Sequence, residues 1–506
     1  MKLDHLDARC FLCGADYGPF DTGRRLCDCV RPLGFPESEL SCYVTILPEP
    51  RGYSVRALPS LWAKDPWDVF AIAAEGNGFP GNPAASAGAA GVASPASDAA
   101  AYPFGRDLLA REHHLRCGNT ILHRSSILED VTGFEEVHVV DMGYYLWSST
   151  LKDPRSWAII NTALAAGITD LAVWTAGNAG LSLARLAATA NRRLPRERRL
   201  QVHAIVDSDV APEIRTRLRL WQCEILDIFR RDKPVLNPEE VQGLVSARLK
   251  RSRRRLDEAA YWDVTDGWDG VGLLMYRVIA AQVIRDYAAA SRAQGEEPRP
   301  FDVVLPVGTG DLLLGFYLGL RDCEEADLIP KNRCRIIGAL PTGASILHNI
   351  RQRTIPASAP RRDWNALPAG WPAGRAEGPA GADSTETPES LTPLMPKLRS
   401  THTPLAPCLS ILDKEGKVHF TAVSGLDQMR AGRHVLSGGI DDGLACEPSA
   451  LAAFAALPHV HANVRERDGS GRPWQYQSSS RVLVVNSGLG ILGRDEEDLL
   501  RRASAG

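Results

Sequence analysis

From about residue 111 the chain alternates between short, almost wholly apolar runs and longer mixed segments. The runs lie at 137–141, 171–175, 202–207, 301–306, 335–341 and 481–486. Strands buried on both faces read this way, because neither side of their sheet meets water. Between them, 154–167, 178–191, 212–222 and 270–294 have the length and residue types of helices. This alternation predicts an α/β fold with parallel sheets.

Two stretches interrupt the pattern. Residues 83–101 are almost all Ala, Gly, Ser and Pro, and residues 355–400 are rich in Pro, Ala, Gly and Arg without periodicity. Such compositions bury little surface, so the first reads as a linker and the second as a surface insertion. The expected organisation is a Cys-rich module over 1–45, a transitional segment over 46–110, and an α/β domain pair over 111–500. The smaller domain of the pair is expected at about 145–265.

Composition narrows the function classes. The 506 residues are 44% hydrophobic and 24% charged, with a formal net charge of -3. No global field draws in nucleic acid or an anionic membrane. No run of about 18 apolar residues predicts a membrane span. The start, MKLDHLDARCFLCG, has no apolar leader core, so the cytoplasm is the expected location. Five of the eleven cysteines (Cys10, Cys13, Cys27, Cys29 and Cys42) fall within the first 42 residues. Clustered thiols in a long chain read as metal ligands before disulfides.

Five motifs could carry chemistry. Thr175-Ala176-Gly177-Asn178-Ala179-Gly180 follows a strand-like run and opens a helix-like one. Backbone N–H groups at such a turn suit a carboxylate or phosphate. Pro306-Val307-Gly308-Thr309-Gly310-Asp311 has the same setting, without the Lys of a P-loop. Its glycines admit close approach of a ligand, and the Thr309 hydroxyl can donate to a phosphate oxygen. Thr150-Leu151-Lys152-Asp153-Pro154-Arg155 puts a lysine at a predicted helix start, where the dipole disfavours a cation. Ser487-Gly488-Leu489-Gly490 closes the last strand-like run, and Glu447-Pro448-Ser449 opens another helical stretch. Taken singly, each is an ordinary turn or helix start. Lys152 is then a solvated surface lysine, Ser487 a turn former and Glu447 a favourable first-turn charge.

Their order carries more. Together with Gly118-Asn119-Thr120-Ile121-Leu122, the motifs resemble pyridoxal-5′-phosphate (PLP) enzymes of fold type II, the tryptophan synthase β-like family, with threonine synthase the nearest member. The resemblance covers about 111–495 apart from the insertion. It implies two sheet domains with PLP in the cleft between them. Lys152 would hold the cofactor as a Schiff base and move the Cα proton. Asn178 would meet its O3′, and Thr175 to Ala179 would cradle the substrate carboxylate. Gly308, Thr309, Gly310 and Asp311 would bind the cofactor phosphate, and Ser487 would face the pyridine nitrogen. A neutral hydroxyl there suits elimination and replacement at Cβ or Cγ better than transamination.

The resemblance also implies an amino acid substrate, a phosphate ester among the candidates, and a homodimer is the expected assembly. Three departures bear on the substrate: Pro154 stands between Asp153 and Arg155, Ile121 replaces the family's proline, and the segment before Lys152, MGYYLWSST, is aromatic and lacks the family's Asn-Pro-Thr-Gly. A cysteate or cysteine synthase-like β-replacement, and a catalytically inactive binding protein, remain open beside the threonine synthase-like reading. Cys10-x-x-Cys13 and Cys27-x-Cys29 resemble the zinc ribbon at the start of many threonine synthases, with Cys42 an alternative ligand. A ribbon folded without metal is the other reading. His113 and His114 read as ordinary polar residues. The basic run at 251–255 reads as a solvated helix face, with a phosphate-bearing partner as its alternative.

Overall fold

The computed structural model describes residues 2–21, 25–33, 43–50, 121–144, 148–192, 194–207, 210–228, 261–342, 395, 398, 403–436, 444, 446–468, 481–490, 492, 497, 500 and 501. Residues 83–101, most of 355–400, Cys42, His113, His114, Gly118 to Thr120 and the run at 251–255 lie outside these.

The chain opens with β1 (Lys2–Cys10), β2 (Asp16–Asp21) and β3 (Ile46–Pro50), an antiparallel sheet ordered β2-β1-β3. Composition placed the module's end at 45. The sheet runs on to Pro50, because Ile46 to Pro50 pair with Cys10 to Leu6.

The α/β region supplies β4 (Ile121–Arg124), β5 (Glu136–Asp141), β6 (Asp170–Trp174), β7 (Gln201–Asp207), β8 (Glu224–Ile228), β9 (Tyr261–Asp263), β10 (Asp302–Pro306), β11 (Arg335–Pro341), β12 (Val418–Val423) and β13 (Arg481–Asn486). Its helices are α1 (Ser126–Thr132), α2 (Lys152–Ala165), α3 (Asn178–Asn191), α4 (Pro212–Leu220), α5 (Gly270–Ala293), α6 (Asp311–Glu325), α7 (Ala406–Lys414), α8 (Gly425–Leu436) and α9 (Leu451–Asp468). A four-stranded sheet, β8-β7-β6-β9, is wholly parallel. A six-stranded sheet, β12-β11-β10-β13-β5-β4, is parallel except at its edge, where β4 runs antiparallel to β5.

Every residue of β10 and β13 is buried. Their side chains alternate between two cores, as the period of two in a strand requires. Val303, Leu305, Leu483 and Val485 face the larger core, shared with the N-terminal sheet and the four-stranded sheet. Val304, Val482 and Val484 face the second, capped by α8 and α9. Met395 and Leu398 also join that second core. They fall in the span expected to be surface insertion, so its last residues are anchored by two apolar side chains that composition alone did not single out.

Candidate active site

The segment before α2 is fixed by its own polar side chains. The buried Asp153 carboxylate accepts from Ser148 N (2.8 Å) and Ser148 Oγ (2.7 Å), and Thr150 Oγ1 accepts from Lys152 N (3.2 Å). Across from it, the chain leaving β13 locks on: Leu151 N donates to Ser487 O (3.1 Å) and Leu489 N to Ser149 O (2.9 Å). Gly488 makes this possible. Its φ is 112°, and a Cβ there would overlap the Ser149 carbonyl oxygen. Lys152 and Ser487, 335 positions apart in sequence, therefore stand on directly bonded backbone.

Lys152 occupies the first position of α2, where the helix dipole repels it. The compensation is ionic. Its Nζ lies 2.9 Å from Asp266 Oδ2 and 3.8 Å from Asp311 Oδ2, and donates to Tyr276 Oη at 3.2 Å. Burial alone would push the ammonium pKa down. Asp266 and Asp311 outweigh it and hold the lysine above its ordinary value. Arg155, whose side chain is 1% exposed, continues the cluster: Nε lies 3.1 Å from Asp266 Oδ1 and Nη2 3.6 Å from Asp269 Oδ2, and Nη2 donates to Val264 O. Burial would raise the Asp266 pKa, but Arg155 and Lys152 together hold it below the usual carboxylate value. Asp269 behaves oppositely: burial wins over Arg155 and the N–H groups of Val271 and Gly272, and its pKa is pushed up to about 6.

The second motif forms the β6-to-α3 turn. Asn178 is buried, and its Nδ2 lies 3.0 Å from Glu447 Oε2 and 3.2 Å from Oε1. Glu447 N in turn donates to Gly488 O at 3.0 Å, tying this turn to the Ser487 strand end. Thr175 Oγ1 accepts from Gly177 N (2.9 Å) and Gly180 N (3.0 Å), so those two donors hold the turn together. The N–H groups of Ala176, Asn178 and Ala179 stand at the helix opening, where a helix offers them no acceptor.

The third forms the β10-to-α6 turn. Gly310 is the N-cap at φ 90°, and a Cβ there would sit 2.5 Å from Leu409 Cδ1. Thr309 Oγ1 donates to Asp311 Oδ1 at 2.8 Å, and Thr403 Oγ1 donates to the Thr309 carbonyl. In this arrangement the Thr309 proton goes to Asp311. Asp311 Oδ2 lies 3.8 Å from Lys152 Nζ, so the Asp311 side chain faces the lysine.

Lys152, Asn178, Ser487 and the Gly308–Asp311 turn are thus brought together. Three further residues join them. Asp266 stands between β9 and α5 in Asp263-Val-Thr-Asp-Gly-Trp-Asp269, where three acids surround a strand-to-helix connection; that density was its available signal. Tyr276 lies inside an apolar helix and gave none. Glu447 was visible as Glu-Pro-Ser, but only the fold carries it to Asn178. Asp441 and Asp442, carboxylates that could reach the ring nitrogen in place of Ser487, lie outside the described residues.

The site fits PLP. Asn178 Oδ1 and Asp311 Oδ2 are buried oxygens with no hydrogen-bond partner among the described residues. A Cβ at Gly490 would fall 2.5 Å from Asn178 Oδ1 and 2.6 Å from Glu447 Oε2. A buried lysine, an amide with an unpartnered oxygen and a glycine turn at a helix N-terminus are what a phosphorylated aldehyde needs.

Residues 114–488 match the family of pyridoxal-phosphate dependent enzymes, and the chain belongs to that family. Its cofactor is therefore PLP. Among solved structures, diaminopropionate ammonia lyase from Escherichia coli aligns at a TM-score of 0.50 and 13% identity, over 82% of this chain and 94% of the lyase. Maize serine racemase aligns at 0.48 and 14%, over 74% and 88%. A PLP-dependent aspartate racemase also aligns at 0.48 and 14%, over 74% and 91%. At these identities the likeness is one of fold, the fold type II α/β architecture. No curated protein sequence matches the chain. Among the described residues no helix is long and apolar enough to cross a membrane.

Proposed function

We propose that the protein acts in the cytoplasm on an amino acid, breaking a Cβ or Cγ bond to a leaving group by elimination or replacement, as threonine synthase does. Bound PLP supplies an electron sink for negative charge at the substrate's Cα. Lys152 is the residue that holds it and that takes and returns the Cα proton. Asp266 Oδ2, 2.9 Å from Nζ, orients the lysine as its counter-ion. Asn178, steadied by Glu447, would hold the cofactor's O3′. The N–H groups of Ala176, Asn178 and Ala179 would take the substrate carboxylate. The Gly308–Gly310 backbone would take the phosphate.

The observation that carries the reaction type is Ser487. Its backbone is bonded to the residue before Lys152, and its buried side chain is the neutral hydroxyl that would face the ring nitrogen of bound PLP, as the family resemblance implies. A carboxylate there would keep the ring protonated and favour storage of charge, hence transamination. A hydroxyl stores less, so the charge is better discharged by expelling a group from the neighbouring carbon.

The test is a screen of amino acids with their O-phospho and O-acetyl esters, scoring released phosphate, acetate or ammonia against pyridoxamine phosphate. Leaving-group release is expected to dominate. Pyridoxamine phosphate forming faster than any leaving group would overturn the reading and the role of Ser487. Turnover of a β-ester but not a γ-ester would place the chemistry with cysteate or cysteine synthases.

A further inference from the structure

We propose that Cys10, Cys13, Cys27 and Cys29 bind one tetrahedral divalent cation of the zinc class, and that this clip braces the segment carrying Asp266 against Lys152. The second half rests on the active-site reading above; the first does not.

The four Sγ atoms all lie within 4.8 Å of one another. Cys10 and Cys29 are 3.5 Å apart, and Cys13 and Cys27 are 3.6 Å apart. Tetrahedral ligands at about 2.3 Å from zinc sit about 3.8 Å from each other. A disulfide needs about 2.05 Å. The thiols are spaced for a shared cation, not for two covalent pairs. Local structure explains the short Cys27-x-Cys29 spacing: a 3-10 turn, Asp28–Leu33, begins between the two cysteines and brings both sulfurs inward. Cys27 Sγ accepts from Tyr17 Oη (2.8 Å) and from Cys29 N (3.5 Å), bonds that suit a sulfur carrying negative charge. Four protein ligands close the coordination sphere, which is the pattern of a structural site.

The cluster is wired to the active site through short steps. Cys27 N donates to Thr45 Oγ1, and Thr45 N donates back to Arg25 O at 2.8 Å. Arg25 lies 3.9 Å from Asp263 Oδ2, with its guanidinium 4.9 Å over the Trp268 ring. Those residues flank Asp266 on both sides. From β2 and β3, Phe20 and Pro48 press so closely on Gly270 that a Cβ there would meet Pro48 Cδ at 2.5 Å. The start of α5 is thus set by the module the thiols close.

The experiment begins with zinc content, measured by plasma emission on untagged protein purified without added metal. About one zinc per chain is expected for the wild type and for Lys152→Ala, and under a third of that for Cys13→Ser, which alters the exposed ligand. Cobalt(II) exchanged into the wild type should show thiolate charge-transfer absorption. Arg25→Ala should keep the metal yet lose PLP several-fold faster. A metal-free wild type whose cobalt spectrum is featureless overturns the site, whether or not Cys13→Ser folds. Normal cofactor retention in Arg25→Ala overturns the brace and leaves the metal standing. Loss of zinc in Lys152→Ala would contradict their independence.

Discussion

Helix α5 carries two consecutive residues into two different buried ionic clusters, and the contrast separates chemistry from scaffolding. Arg277 meets Asp322 in a bidentate pair, with Nε to Oδ2 and Nη2 to Oδ1 both at 2.7 Å, and Glu49 stands 3.5 Å from Nη1. Tyr276 instead faces Lys152, Asp266 and Asp311. Charge count does not distinguish them, since each sets at least two acids around a buried base. Satisfaction does. The Arg277–Asp322 fork uses both carboxylate oxygens in parallel bonds, the geometry of a finished structural contact. In the Lys152 cluster, Asp311 Oδ2 accepts no hydrogen bond among the described residues. A half-satisfied buried network costs stability and persists where a ligand completes it.

The largest effect that should expose this contrast is Lys152→Ala. Activity should fall by about 10³-fold or more, with loss of the absorbance of lysine-bound cofactor and with folding retained, because Asp266 keeps Arg155. Borohydride reduction and peptide mapping of the wild type should label Lys152; a label elsewhere sinks the assignment.

Asp322→Ala should do the reverse. It strands the buried Arg277, so unfolding in urea should show a loss of about 3–5 kcal/mol, while the folded fraction keeps its lysine-bound cofactor. A variant that loses cofactor without losing stability would erase the distinction.

The smallest effect is expected at a third pair, His459 Nε2 and Asp427 Oδ2, 3.2 Å apart, with the histidine 42% exposed. The Asp427 carboxylate beside it raises the His459 pKa. Burial would raise that of Asp427, but His459 and Ser424 hold it at about 2. The histidine's contribution is therefore full below its unfolded value of 6.5 and lost as pH rises through its higher folded value. The aspartate's is full above 3.8 and lost as pH falls towards about 2. Solvent screens the pair, so His459→Ala should cost only about 0.5 kcal/mol at pH 5, and less at pH 9. An equal cost at both pH values would show that the histidine contributes packing and no charge.

By itself the sequence determined six of the ten strands described in the α/β region, most of its helices and the five motifs at which ligand chemistry could sit. β10 and β13 are apolar throughout because both their faces are buried, and glycines mark the Gly308–Gly310 and Ser487–Gly490 turns because backbone there must take positive φ or touch another segment. These are local requirements, written locally. The antiparallel β4, the burial of Met395 and Leu398, and the placing of Asp266, Tyr276 and Glu447 were decided only by tertiary structure. An aspartate in a loop, a tyrosine in an apolar helix and a glutamate at a helix start look the same whether they face solvent or a buried lysine or amide more than a hundred positions away. Their meaning comes from burial beside a charge, and burial is a property of the packed sheets, not of any one segment.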